Sequence, residues 1–275
     1  MYFDHHTLRR TWLFFLAAVF SLGAASRTEA NWEHALEATA RIQAGGSLGT
    51  GACFSHHGGY AWFLTNAHVV GNSRTATVEI WQDGHQSRRI QGLVAYSRLN
   101  DRYSQDMAIV AVPLSRFGGF PPTAIPLAQS FDYRPGTKLI SVGCPKGTNA
   151  GLFQCAIQGL SQQSDRVSLR TGAHGAQSGS SVLTADGTRV VALIAWSDNP
   201  SGSPTVSIAQ TLPTIFSAFR SAQEAVFASP QRPTGTDAVG SHTLPLGAPR
   251  VSSDGWRGAN EPARHQLRTI CWKCG

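Results

Sequence analysis

Between about Ala40 and Ala209 the chain alternates short apolar runs with clusters of Gly, Asn, Asp and Pro. The runs are Tyr60 to Leu64, Thr77 to Trp81, Ile90 to Tyr96, Ala108 to Val112, Lys138 to Val142, Cys155 to Leu160, Val167 to Arg170, Arg189 to Trp196 and Val206 to Ala209. Strands this short with frequent turn signals predict an all-β sandwich or barrel. Helix-length amphipathic crossovers are missing between them, which argues against a parallel α/β sheet. Two stretches carry a helical stripe. Trp32 to Ile42 places Trp32, Leu36, Ala40 and Ile42 at helical spacing, and Pro213 to Phe227 gathers Ile215, Phe216, Phe219 and Ala222 on one face. Pro213 suits the first turn of that second, short C-terminal helix.

The two ends read differently from the middle. Arg9 and Arg10 precede an apolar run from Trp12 to Phe20 that continues to Ala25, with small residues offering cleavage after Ala25 or Ala30. A charged start, a short apolar core and small residues make a secretory signal. The run falls short of the ~20 apolar residues of a membrane-spanning helix; the alternative is an uncleaved anchor. Leu8-Arg9-Arg10-Thr11-Trp12-Leu13 is similar to a twin-arginine export signal. After Ala228 the chain is rich in Pro, Gly, Ser and Thr without periodicity, as expected of a mobile extension. The expected organisation is a signal over 1–30, a folded domain over 31–228 and a tail over 229–275. The mature protein is then exported, periplasmic or secreted, with no stable membrane span.

Composition agrees with this division. Glycine is abundant at 28 of 275 residues and only 14% are charged, which suits a β protein with many tight turns. Net charge is +7, yet the 31–228 segment holds 14 basic against 11 acidic side chains. No basic run with interleaved aromatics occurs, so nucleic-acid binding is not expected. Export permits disulfides among the five cysteines. Cys144 and Cys155 flank a turn-rich segment; they either bridge a hairpin or remain two buried thiols. Cys53 has no evident partner, and Cys271-Trp272-Lys273-Cys274 is half a zinc site at most. His56 and His57 precede Gly58-Gly59 and mark a hairpin turn, without further ligands at metal spacing.

Three segments carry chemistry together. Trp62 to Val70 delivers His68 at the end of an apolar strand, Asp106 enters the buried strand that follows it, and Ser178 sits in a small-residue turn, Gly175 to Ser181. A serine hydroxyl is a poor nucleophile until a neighbouring base takes its proton. Imidazole suits that task near neutral pH, and a carboxylate behind it fixes the tautomer. Small residues let substrate approach and let backbone N–H groups face the developing oxyanion. By position those donors are Ala176 and Ser178. Each segment alone is common; the order His, Asp, Ser over intervals of 38 and 72 residues is not.

Thr65-Asn66-Ala67-His68-Val69-Val70 resembles the histidine motif of trypsin-like serine proteases, especially the HtrA/Deg branch. Asp106-Met107-Ala108-Ile109-Val110 is similar to that branch's aspartate motif, and Gly143-Cys144-Pro145-Lys146-Gly147 to its Gly-x-Pro-x-Gly turn. Ser178-Gly179-Ser180 is nearer the serine motif of bacterial glutamyl endopeptidases. The resemblance covers roughly Ile42 to Ala209. It implies two antiparallel six-stranded β-barrels of the chymotrypsin type with the active site between them. It also implies hydrolysis of a polypeptide substrate through an acyl-enzyme, with no cofactor.

The departures are specific. Gln177 stands where zymogen-activated relatives carry aspartate, so activation by a new N-terminus is not expected. Ala176 replaces a glycine, and Ser181 a proline. The tail contains no PDZ module. Gly172 falls near the base of the primary pocket, and Ala195-Trp196-Ser197 resembles the strand that pairs with substrate. His174 either lines the pocket or sits in a solvated loop. No acidic residue is placed to bind Arg or Lys, and Ile194 stands where glutamyl endopeptidases carry a histidine. The rival reading is a catalytically impaired homologue that binds peptides, for which Ala176 is the main support.

Overall fold

The computed structural model describes residues 32–82, 86–100, 105–171, 178–197 and 205–228. The expected signal and tail, Gly172, His174, Ala176 and Gln177 lie outside the described residues. The chain divides into Met1–Ser229 and Pro230–Gly275, and everything below belongs to the first unit.

Helix α1, residues 32–38, leads into strands β1 (Thr39–Ala44), β2 (Ser47–His57) and β3 (Tyr60–Thr65). A one-turn helix α2 (Ala67–Val70) precedes β4 (Thr75–Gln82), β5 (Gln86–Leu99) and β6 (Asp106–Pro113). After a connecting segment come β7 (Lys138–Gly143), β8 (Gly151–Leu160), β9 (Arg166–Thr171), β10 (Ser181–Leu183), β11 (Val190–Ser197) and β12 (Thr205–Thr211). Helix α3 (Leu212–Phe227) follows β12 directly. The strands close into two barrels ordered β1-β2-β3-β6-β5-β4 and β10-β11-β12-β9-β8-β7, and the pairings are antiparallel throughout. Closure leaves no long edge to template aggregation. The fold is the chymotrypsin-like pair of six-stranded barrels. No helix among the described residues is long and apolar enough to cross a membrane.

β3 and β6 are apolar on both faces for a reason. Ala61, Phe63, Ala108, Val110 and Val112 point into the first barrel, while Trp62, Leu64, Met107, Ile109 and Ala111 point out into a second core. That outer core also takes Val142, Leu183, Val190 and Leu193 from the second barrel and Ala35, Ala38, Ile215, Ala218 and Ala222 from the helices. Strands buried on both sides read as continuous apolar runs. The second barrel has its own interior, including Leu139, Val167, Leu169, Val182, Ala192 and Ala209.

Two expectations need correction, and one open alternative is decided. The helix expected over Trp32 to Ile42 stops at residue 38, because Ala40, Ile42 and Ala44 alternate inward with a period of two as β1. In α3, Phe216 is exposed, and Ala218 takes the buried place beside Ile215 and Ala222. The Cys144–Cys155 bridge does not form. Leu139 pairs with Cys155 and Gly143 with Gly151, so Cys144, next in line, lies about five rungs away, ~16 Å along the hairpin. Cα atoms of a disulfide lie within ~7 Å. Cys53, Cys144 and Cys155 are buried free thiols.

Burial pushes all three thiols up to about 12, and Tyr133 likewise to about 12. The Tyr133 hydroxyl donates to Val191 O at 2.5 Å and accepts from Leu212 N–H at 3.0 Å. Below about pH 9 these groups are protonated in folded and unfolded chains alike, so their contribution to stability is complete. Above that the unfolded chain ionises first, and the contribution falls until the folded groups ionise near about 12. Urea midpoints of a Cys271→Ser/Cys274→Ser variant should therefore decline from about pH 9 upward. Its three remaining thiols should resist a thiol reagent until unfolding; prompt reaction in the folded state would contradict the packing described.

Candidate active site

The histidine is aimed by its short helix. Thr65 ends β3, Asn66 caps α2 in an extended conformation, and Gly71 ends the turn with φ of +54°. Ala67, Val69 and Val70 are buried, so His68 is the one residue of the turn left exposed. Its side chain is 39% exposed, whereas that of Asp106 is 1% exposed. Asp106 opens β6 and uses both oxygens on His68. Oδ2 lies 2.5 Å from Nδ1, and Oδ1 accepts the His68 backbone N–H at 3.0 Å. Asn66 Nδ2 donates to the Asp106 carbonyl at 2.8 Å, tying the helix to the strand from the other side. A carboxylate only accepts, so Nδ1 carries the ring proton and the Nε2 lone pair of the neutral ring is left for another partner.

Ser178 comes from the second barrel, just before β10. Gly179 follows with φ of +85°. Its N–H donates to Ile194 O at 3.1 Å, while Ser180 O accepts from Ile194 N–H at 2.9 Å. The turn sits against β2 of the first barrel, where Thr50 N–H donates to Ser178 O at 2.9 Å. A Cβ on Gly179 would lie 2.0 Å from Thr50 O and 2.8 Å from Thr65 Oγ1. On Gly49 it would lie 2.5 Å from the Val69 side chain and 3.2 Å from Ser178 O. Gly49 is thus the gap across which the serine turn approaches the residue following His68. Among the described residues no hydrogen bond joins Ser178 to His68; the serine is held through its carbonyl, and His68 through Asp106. Catalytic hydrogen bonds are often long before substrate arrives.

The expected substrate strand lies next to this turn. β10 pairs with β11 as far as Leu193, whereas β12 continues through Ser197. A bulge falls between Ile194 and Trp196. Ala195 is buried and Trp196 half-buried, while Ile194 packs into the interior of the second barrel. Thr171, immediately before Gly172, places its Oγ1 3.3 Å from Ser207 Oγ, and both residues are nearly buried.

Reading the sequence missed Thr50, Thr65 and Asn66 as residues that hold the site. Asn66 lay inside the histidine motif. The signal for Thr50 was a pair of glycines, Gly49 and Gly51, inside a strand, a mark of close backbone approach. A Cβ on Gly51 would lie 2.7 Å from Ile42 Cγ1.

A family model, the trypsin-like peptidase domain, matches residues 49–193, more than half of the chain, from within β2 to within β11. No curated protein matches the sequence. Solved structures do. The Rv3671c protease of M. tuberculosis, in an inactive form, shares 19% identity at a TM-score of 0.51, over 67% of this chain and 88% of that one. A serine endoprotease from Yersinia pestis shares 16% at 0.56, over 71% and 66%. The HtrA-type protease AlgW, solved with a decapeptide, shares 16% at 0.54, over 73% and 67%. At such identities these three structures speak to the fold, and the fold they share is the one described above. The match to the family model and the paired barrels together place this chain in the trypsin-like peptidase family, as a serine-type endopeptidase.

Proposed function

We propose that His68, Asp106 and Ser178 form the catalytic triad and that peptide bonds are cleaved through an acyl-enzyme. The carrying observation is the double hold of Asp106 on His68, which leaves Nε2 directed away from the carboxylate. In the acylation step Ser178 Oγ bonds to the scissile carbonyl carbon as its proton passes to His68 Nε2. The C–N bond then breaks, and the departing amine takes that proton. Water repeats the attack on the ester, giving its proton to His68, which passes it to Ser178 Oγ as the acyl C–O bond breaks and the acid is released. The backbone N–H groups of Ala176 and Ser178 receive the oxyanion.

Substrate lies extended beside Ala195-Trp196-Ser197 as an added strand, so that its carbonyl reaches Ser178. The continued pairing of β11 with β12 beyond the end of β10 supports this placement. Gly172 and His174 border the pocket for the side chain preceding the cut. The protein works outside the cytoplasm after removal of the 1–30 segment, the twin-arginine pair directing its export.

Mature protein should react with a fluorophosphonate and lose that reaction entirely on Ser178→Ala. A protein that never labels would instead be the impaired homologue, with Ala176 as the cause to test by Ala176→Gly. Asp106→Asn should leave the far-ultraviolet circular dichroism spectrum unchanged and lower kcat about ten-thousandfold, because the amide stabilises the wrong imidazole tautomer. Turnover near that of the parent would remove Asp106 from the triad.

A further inference from the structure

We propose that Thr50 is a positioning residue, setting Ser178 against His68 by bonding to both barrels at once. The proposal rests on Ser178 being the nucleophile. Thr50 lies in β2 and is fully buried. Within the first barrel it pairs with Arg41 of β1, but on the other side the rungs between β2 and β3 begin only at Ala52 and Leu64. Its main chain therefore forms no rung with β3 and is available for other partners.

Each polar group of Thr50 takes a different one. The N–H donates to Ser178 O at 2.9 Å. The carbonyl accepts from Thr65 Oγ1 at 2.6 Å, three residues before His68. The hydroxyl accepts Cys144 N–H at 2.9 Å, just past the end of β7. β7 in turn pairs with β10, Val142 opposite Ser181, and β10 follows the serine turn. One buried residue thus touches the turn that carries the nucleophile, the segment that leads to the base, and the strand that backs the nucleophile.

The surroundings leave little room to relax. A Cβ on Gly143 would lie 1.9 Å from Ser180 Oγ and 3.3 Å from Thr50 Oγ1, and one on Gly179 would lie 2.0 Å from Thr50 O. The hydroxyl is the part of this arrangement specific to Thr50, since any residue supplies an N–H and a carbonyl. Replacing it by a methyl of similar volume leaves Cys144 N–H buried without an acceptor, and the end of β7 moves to find one. Ser178 moves with it. Displacements near 1 Å at a reacting atom cost up to about a hundredfold in rate. Beyond Ile194 the substrate strand pairs with β12 rather than with the serine turn, so binding is expected to suffer less than kcat.

The test compares Thr50→Val, Thr50→Ser and the parent in mature, full-length protein, well below each measured unfolding temperature. Thr50→Val should lower kcat and the rate of fluorophosphonate labelling by about ten- to a hundredfold, with KM within about threefold. Thr50→Ser, which keeps the acceptor, should recover most of the loss. Parental kcat in Thr50→Val, or equal loss in both variants, overturns the proposal. Should Thr50→Val fail to fold, amide exchange of the parent decides. Cys144 N–H is expected to exchange far more slowly than an exposed amide, and exchange at the exposed rate overturns the bridge. Labelling that survives Ser178→Ala defeats the nucleophile reading itself, whatever the Thr50 variants do.

Discussion

Asp106 stands at the start of a strand with 1% of its side chain exposed, and a carboxylate so placed must be met by donors or it destabilises the fold. Both of its oxygens are met by His68, one by the backbone N–H and one by the ring. An ordinary hydrogen bond contributes about 0.5–1.5 kcal/mol, while stranding a buried charge costs about 3–5 kcal/mol, so the penalty for misplacing the histidine exceeds the gain from any single contact. The one-turn helix, its three buried neighbours and the Asn66 tie all serve to keep that imidazole where the carboxylate needs it. The same bonds leave Nε2 pointing away from Asp106. Stability and site geometry therefore depend on one interaction.

The serine is subject to a different constraint, because it belongs to the other barrel. What joins the barrels is a core made from their outer faces, with helices α1 and α3 filling its margin. α3 leaves the second barrel at β12 and packs on the first. Phe219 makes edge-on contacts with Phe54 and Trp62 at 4.8 and 5.2 Å between ring centres. Phe227 covers the Gly58-Gly59 hairpin so closely that a Cβ on Gly58 would lie 2.2 Å from its ring. Trp62 Nε1 donates to His57 O at 3.0 Å, anchoring the same hairpin. The helix thus straps the two halves, and the fine alignment of the serine turn is left to the small residues at the centre of the junction.

Those small residues explain what was hard to read. The strands of both barrels were visible because burial on one or both faces leaves a periodic or continuous apolar trace, as in Tyr60–Thr65 and Asp106–Pro113. β2 left none. Its residues Gly49-Thr50-Gly51 are polar or small because the serine turn, Val69 and Ile42 press on them from other parts of the chain. β1 was drawn toward helix because its short alternation coincides with a helical stripe carried over from α1.

Local chemistry is written in contiguous residues, and there the sequence alone was sufficient. It determined the nature of most of the strands, though not β1 or β2, the short C-terminal helix, and the three segments that present an imidazole, a carboxylate and a hydroxyl in that order. Their mutual geometry depends on contacts between residues far apart in the chain. Only the folded barrels put Asp106 on the backbone N–H and ring Nδ1 of His68, set the serine turn against Thr50, and separated Cys144 from Cys155 by several rungs of a hairpin whose register no composition reveals. The physical reason is that hydrophobic period is a property of one segment at a time, whereas register, closure and the approach of one backbone to another are properties of pairs.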